Sequence, residues 1–503
     1  MDKVVIIHRG ALSAKYGKVG LDKIDTALLV LVRADKKRGI DTVALGVDQA
    51  SAMQPYGAAV PVKPDARSLK AAIDAIAAKA KPHYFLLLGS QDVLPLVPLV
   101  NPAYGGPNGD DDKTVPSDLP YACESAYSTD ANRFLGATRV LGRLPDVPGA
   151  KKPDLLVKLL RAAARAQPLP RAAYLDSFSL SAEVWQASTR LSVSNTFGSA
   201  DKLNLAPPRG PRWAKSDLAP RMHFINCHGA DTSPEYYGQH GDDYPVSHRA
   251  SLLLGKISAG TVIAAECCYG AQLYDPAKAE GKGGIALSYL NDGASGFFGS
   301  TTIAYGPSEG NGSADLICQY FLQRVLAGAS LGRAALEARQ KFAGERTHLD
   351  PFDLKTLAQF YLLGDPSAQP VSITAHALSR TKAFKQAFAS VQDRGVRGLR
   401  RERLEREGRN LARSLPPLRA STHAAAAGVE RTLQAIARES GLAKGSHTRL
   451  SFAVGAKEGR RRIHVLKGQL SEAIPGQPVQ RIVAIIATEE GGELLHVRRL
   501  HAR

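Results

Sequence analysis

The feature that most limits what this chain can fold into is the alternation of short, wholly apolar runs with longer amphipathic stretches. Residues 4–7 (Val-Val-Ile-Ile), 42–47 and 84–88 (Tyr-Phe-Leu-Leu-Leu) are strand-length and apolar with little alternation. A strand with one face in water alternates; a run that does not is covered on both faces, as in a parallel sheet between helical layers. Residues 21–38 and 68–79 read as amphipathic helices, the first ending at Gly39. A Pro- and Asp-rich stretch, 102–120, reads as a loop. A helix follows at 154–166, and the pattern restarts with a strand at 172–175. The second round predicts strands at 222–226, 261–266 and 297–304, with helices at 284–291, 315–326 and 331–342. The expected fold class is α/β: two successive α/β halves with mostly parallel sheets covered by helices, plus a basic C-terminal α+β module.

At 503 residues the chain can hold three cores of ordinary size. A hydrophobic fraction of 44% against 22% charged residues excludes a disordered chain. No apolar run reaches bilayer-spanning length and no leader precedes residue 4, so the expectation is a cytoplasmic chain without a membrane partner. Five cysteines, with no Cys-x-x-Cys pair, make neither a disulfide framework nor a zinc site. No metal and no cofactor is called for. The net charge of +18 is uneven. Residues 371–503 hold 25 Lys+Arg and 11 Asp+Glu, 25 − 11 = +14, which leaves about +4 for the rest. The expected division is 1–166, a non-catalytic α/β half; 167–370, a catalytic half; and 371–503, the basic module.

The chemistry lies where two strands stop. Carboxyl ends of strands in an open parallel sheet face the ligand crevice. The strand at 222–226 runs into Cys227-His228-Gly229, and that at 261–266 into Cys267-Cys268-Tyr269-Gly270. A thiol nucleophile needs an imidazole to take its proton, and main-chain N–H groups, here those of Gly229 and Cys268, can stabilise an oxyanion. Neighbouring strands bring such residues together across 268 − 228 = 40 positions.

Those residues resemble the caspase-like clan of cysteine peptidases, and the gingipain-type family in particular. Glu266-Cys267-Cys268-Tyr269-Gly270 fits the clan's frame, with Cys268 as nucleophile and His228 as base. Family members with Cys-x-x-Gly would select Cys267 instead. Because side chains alternate faces along a strand, one cysteine faces His228 and the other packs inward. Leu87-Leu88-Gly89 with Val93-x-Pro95, Pro116-Ser117-Asp118-x-x-Tyr121, Leu141-Gly142-Arg143-Leu144-Pro145 and Leu363-Gly364-Asp365-Pro366-Ser367 extend the resemblance over roughly residues 1–370. It implies an endopeptidase acting on protein or peptide substrates. It also implies an acidic residue in the pocket for the substrate's P1 side chain, for which Glu183 and Asp176 are the candidates and Arg or Lys the expected P1 residue. Ser300, Thr301 and Tyr305 are implied as the pocket wall. Cys227 and Cys318 read as core thiols, Asp118 as structural, and the Asp-rich run 109–113 as a solvated loop rather than a calcium site.

In the tail, residues 382–415 read as a helix with apolar positions Phe384, Phe388, Val391, Leu399, Leu404 and Leu411, docking on the body. A helix at 424–440 and strands at 450–454, 462–466, 481–487 and 494–497 follow. The module suits a regulatory protein partner. Arg460-Arg461-Arg462 and Arg498-Arg499 leave nucleic acid open, without the aromatic interleaving that single-strand binding uses. Two alternatives to an active peptidase therefore stand: a catalytically silent scaffold, and a protein whose tail binds nucleic acid or a regulator.

Overall fold

The computed structural model describes residues 1–106, 110–372, 394–442, 447–455, 461–470, 479 and 481–503. Its body is organised by one sheet. The strands are β1 (Lys3–Ile7), β2 (Thr42–Gly46), β3 (Tyr84–Leu88), β4 (Leu141–Leu144), β5 (Ser177–Ala182), β6 (Leu203–Ala206), β7 (Met222–Asn226), β8 (Val262–Ala265), β9 (Gly296–Ser300), the short β10 (Tyr305–Gly306) and β11 (Phe360–Gly364). All but β10 form a ten-stranded sheet in the order β2-β1-β3-β4-β11-β9-β8-β7-β5-β6.

Every pairing in it is parallel except β11 with β9. The two halves therefore run in opposite directions within one sheet, and β11 is the seam. It joins the first half through one parallel pair, Leu363 with Arg143. The α/β class and the mostly parallel pairing are as the apolar runs predict. Helices α1 (Arg9–Lys37), α2 (Ala66–Ala80), α3 (Asp154–Arg165), α4 (Gln186–Phe197), α5 (Ile285–Asn291), α6 (Ser313–Leu326), α7 (Leu331–Gly344) and α8 (Pro351–Gln359) surround the sheet.

Two local readings are corrected. Residues 172–175 are not a strand: Arg171–Tyr174 is a 3-10 turn, and the strand is β5. Its Ser-Phe-Ser-Leu-Ser-Ala sequence hides it, because buried Ser181 is satisfied by the Thr189 hydroxyl at 2.8 Å rather than by water. The stretch read as a loop at 102–120 contains the strand Thr114–Ser117 and the helical turn Leu119–Ala122.

Buried charges clamp the seam. Lys3 Nζ lies 2.6 Å from Asp35 and 2.8 Å from Asp365, all three buried. Arg143 makes a two-pronged pair with Asp118 at 2.9 and 2.6 Å. Buried pairs of this kind are costly to break singly, about 3–5 kcal/mol each. Asp110, in the Asp-rich run, is equally buried and pairs with Lys355, which also reaches Asp112.

The C-terminal part contributes the strands β12 (Leu418–Ala420), β13 (His447–Val454), β14 (Arg461–Gln469), β15 (Ile482–Glu490) and β16 (Glu493–Ala502), accompanied by α9 (Arg394–Ser414) and α10 (Ala427–Glu439). They form an antiparallel sheet, β10-β16-β15-β14-β13-β12, of which β10 belongs to the body. Alternation along β15 divides its side chains. Val483, Ile485 and Ala487 face Val429, Leu433 and Ala437 of α10, while Ile482, Ala484 and Ile486 join the core of the body. Helix α9 docks through Leu404, whose carbonyl accepts from Gln340 Nε2 at 2.8 Å. Gly408 lies so close to the body that a Cβ there would meet the Ala137 carbonyl at 2.3 Å. Leu411 packs on the same core and Leu399 is exposed; Phe384, Phe388 and Val391 lie outside the described residues.

Candidate active site

Strands β7 and β8 are neighbours in parallel register, Met222 beside Val262 through Ile225 beside Ala265. Their carboxyl ends thus deliver Cys227-His228 and Cys267-Cys268 side by side. Cys227 and Cys267 are wholly buried and burial pushes both thiols up, Cys227 to about 12. They pack in the core. Immediately beyond, Gly229 backs onto the main chain of Cys268, where a Cβ would fall 1.8 Å from the Cys268 carbonyl oxygen. Only glycine fits this contact. Tyr269 then turns the chain with φ 53°, held by its N–H on the Thr302 carbonyl at 2.9 Å and its hydroxyl on Asp112 at 2.8 Å.

The His228 ring sits between Trp185 and Tyr244, with centroids 4.2 and 5.1 Å away. Its Nε2 lies 2.8 Å from Gln239 Oε1, and the Gln239 amide nitrogen donates to the Gly241 carbonyl at 2.9 Å. That second bond fixes which end of the amide is the acceptor, so Nε2 carries the proton and Nδ1 holds the lone pair. Nδ1 is buried and has no hydrogen-bond partner among the described residues. Burial pulls the imidazole down to about 3, outweighing the raising contribution of Gln239. Burial likewise pushes the Cys268 thiol, which donates to the Ala304 carbonyl at 3.6 Å, up to about 12. Thiol and imidazole are both neutral here.

Two main-chain N–H groups, of Cys268 at 3.0 Å and of Gly229 at 3.3 Å, converge on one acceptor: the carbonyl oxygen of Arg503. The Arg503 N–H donates to the Ala304 carbonyl at 3.0 Å, and β16 continues this contact by pairing Ala502 with Tyr305 and His501 with Gly306. The Arg503 side chain is buried. Its guanidinium lies 4.3 Å over the Trp185 ring, and Nη2 reaches Asp315 at 3.0 Å and the Pro307 carbonyl at 2.7 Å. A Cβ on Gly306 would meet Nη2 at 2.3 Å, so the pocket wall is bare there. Asp315 lies in the first turn of α6, where the helix dipole favours a negative charge. Below it, burial first and the Asp315 charge second raise the Glu266 carboxyl well above its ordinary range, leaving Glu266 neutral. Beside Cys268 opens a cleft of about 950 Å³, lined in part by Gly229, Thr232, Tyr269, Thr301 and Ala502.

The structure brings the main chains of Gly229 and Cys268 into contact, with His228 immediately before that glycine. Ser300 is buried beneath the turn, donating to the Cys267 carbonyl at 2.8 Å; Thr301 lines the cleft; Tyr305 contributes its main chain to β10. Glu183 and Asp176 are not brought in. Glu183 pairs at the surface with His240 at 2.6 Å, and Asp176 with Lys202 at 2.8 Å, its side chain 57% exposed. Being upstream of β7 and β8 in sequence did not place them beside the Arg503 guanidinium; the carboxylate facing it is Asp315. Sequence reasoning also missed Trp185 and Gln239, and read Glu266 only as part of the cysteine motif. Asp315 had been visible only as an acidic residue early in a covering helix, which any helix favours.

Residues 242–371 match the model of peptidase family C25, a segment that contains Cys268 and Asp315 and begins after His228. The gingipain-type resemblance carried by the motifs holds at family level over that segment. Among solved structures, one described as a protease is 14% identical, covers 100% of this chain and 97% of that one, and superposes with a TM-score of 0.45. The crystal structure of the Arg-specific cysteine proteinase gingipain R is 10% identical, with 99% and 97% covered and a TM-score of 0.47. No curated protein sequence matches the chain. No helix of the described residues is long and apolar enough to cross a membrane.

Proposed function

From a chain whose residues 242–371 carry the C25 peptidase pattern, we propose an endopeptidase that cleaves peptide bonds after arginine, with Cys268 as nucleophile and His228 as base. The observation that carries this reading is the convergence of the Gly229 and Cys268 N–H groups on one carbonyl oxygen, beside a thiol and a buried imidazole with a free lone pair. A peptide carbonyl held there is polarised by two donors that strengthen as its oxygen becomes negative. Cys268 Sγ attacks the carbonyl carbon and its proton passes to His228 Nδ1. The tetrahedral oxyanion is held by the two N–H groups. As it collapses, the C–N bond breaks and His228 returns the proton to the leaving amine. Water, deprotonated by the same imidazole, then hydrolyses the thioester and restores the thiol.

The pocket of Asp315, Trp185 and the Pro307 carbonyl suits a planar guanidinium better than an ammonium, since it offers a ring face as well as acceptors. Asp315 thus takes the part first assigned to Glu183 or Asp176. All five thiols are unpaired and buried, which fits the intracellular placement we retain. The nucleic-acid alternative has less to stand on, because Arg461, Arg462 and Arg498 are engaged with Glu490, Glu489 and Asp350.

The direct test is labelling with excess Arg-directed acyloxymethyl ketone, followed by mass spectrometry. A thioether on Cys268 is expected; an adduct on Cys267, or none on any cysteine, would refute the assignment. Gln239 is read as a positioning residue that fixes the tautomer of His228. Gln239→Ala should lower kcat about tenfold, the worth of one hydrogen bond, with KM little changed. Gln239→Glu should move the acid limb of the pH–rate profile upward, because a carboxylate at Nε2 stabilises the imidazolium. An unchanged profile would assign Gln239 a packing role only.

A further inference from the structure

The same contacts carry a consequence for regulation, which rests on the reading of the site as an arginine-directed cysteine peptidase. We propose that residues 500–503 are a built-in competitive inhibitor: the chain threads its own last described strand into the cleft as a substrate would lie, with Arg503 in the P1 place, and holds the peptidase latent.

Three independent sets of contacts make the segment substrate-like. The main chain adds a strand to the edge β10, Ala502 opposite Tyr305 and His501 opposite Gly306, which is how extended peptides dock on sheet edges. The carbonyl of Arg503 takes both N–H donors of the oxyanion site, so no second carbonyl can be polarised while it stays. The guanidinium is buried between Asp315 and the Trp185 ring, its Nη2 making the polar contacts, with Arg503 1% exposed. A contact made only for packing would satisfy one of these conditions, not all three at once.

The plug is also tethered. Strand β16 pairs with β15 from Glu493 opposite Glu490 to His501 opposite Val483, and Arg498 is held by Asp350, which caps α8, and by Asp353 within it. A ligand tethered this way has an effective concentration on the order of millimolar. An ordinary substrate with a KM of about 1 μM–1 mM, present at that level, competes poorly. Activation therefore requires residues 500–503 to peel from β10, and a partner that binds the outer face of the module or the end of β16 is the kind of signal that can do it.

The test uses the full chain and separates occupancy from chemistry. In a Cys268→Ala background, binding of a fluorescein-labelled Leu-His-Ala-Arg peptide is followed by anisotropy, with and without Arg503→Ala. The double variant should bind at least tenfold more tightly, and Arg503→Ala with Cys268 intact should hydrolyse an Arg-aminomethylcoumarin peptide at least tenfold faster than the unaltered chain at low substrate. Arg503→Lys, which keeps the charge but loses the planar fork, should lie between the two and serves if the alanine variant does not fold. Equal peptide affinity with and without the Arg503 substitution overturns the inference. Tighter binding without turnover keeps the plug and overturns the peptidase reading instead.

Discussion

Replacing Cys268 with alanine is expected to abolish peptide cleavage, and replacing His228 with alanine to reduce it by about 10²–10⁴-fold, in a protein that keeps its fold. Both are best measured in the Arg503→Ala background, where the cleft is open. The first loss is total because no other side chain supplies the bond-forming sulfur. The second is partial because the donors proposed to hold the oxyanion are main-chain groups of Gly229 and Cys268 and survive the substitution. Cys267→Ala separates the two cysteines. Its side chain is wholly buried, with Sγ 4.0 Å from the Ile225 carbonyl, so its truncation should lower the melting temperature and leave kcat near that of the parent. If Cys267→Ala were inactive and Cys268→Ala active, the nucleophile would be assigned one residue too late.

The second large effect is expected at Asp315. Removing one member of a buried charge pair costs about 3–5 kcal/mol, and about 1.4 kcal/mol is a factor of ten in rate. Asp315→Asn should therefore reduce kcat/KM for Arg substrates by roughly a hundredfold or more, and spare substrates with an uncharged P1 residue. Glu266 complicates the single variant. It is neutral first because it is buried and second because Asp315 is charged, so removing that charge brings its carboxyl down toward ionisation beside the substrate guanidinium. Asp315→Asn with Glu266→Gln should show the full loss. Glu183→Gln and Asp176→Asn, at exposed surface pairs, should change little. A positional-scanning library cleaved after Asp or small apolar residues, with Asp315→Asn unaffected, would remove the basic P1 assignment altogether.

How much was legible depends on how local the physics is. Apolar runs without alternation announce burial on both faces, and they located β1, β3 and β8 because burial on both faces is a property of the strand itself. They failed at β5, where serines satisfied inside the protein look polar in sequence, and they gave no hint that β11 would reverse the second half against the first. The direction of a strand relative to a distant one is set by how the connecting helices pack, and no residue in β11 encodes it alone.

The candidate site divides along the same line. The sequence by itself determined that His228-Gly229 and Cys267-Cys268 end two strands of one sheet, since strand, turn glycine and side-chain type are all read within a few residues. Only the tertiary structure decided which cysteine borders the cleft, which carboxylate faces a guanidinium, and which main-chain oxygen meets the Gly229 and Cys268 N–H groups. Cys267 and Cys268 differ in environment because Gly229 presses on the second and the Ile225 strand covers the first. Asp315 and Arg503 meet across 188 residues. A buried charge is tolerated only where a partner arrives to neutralise it, and the partner's arrival depends on the last strand of the basic module adding itself to β10. That pairing is main chain to main chain, which nearly any sequence can make, so nothing in the residues of either strand announced it in advance.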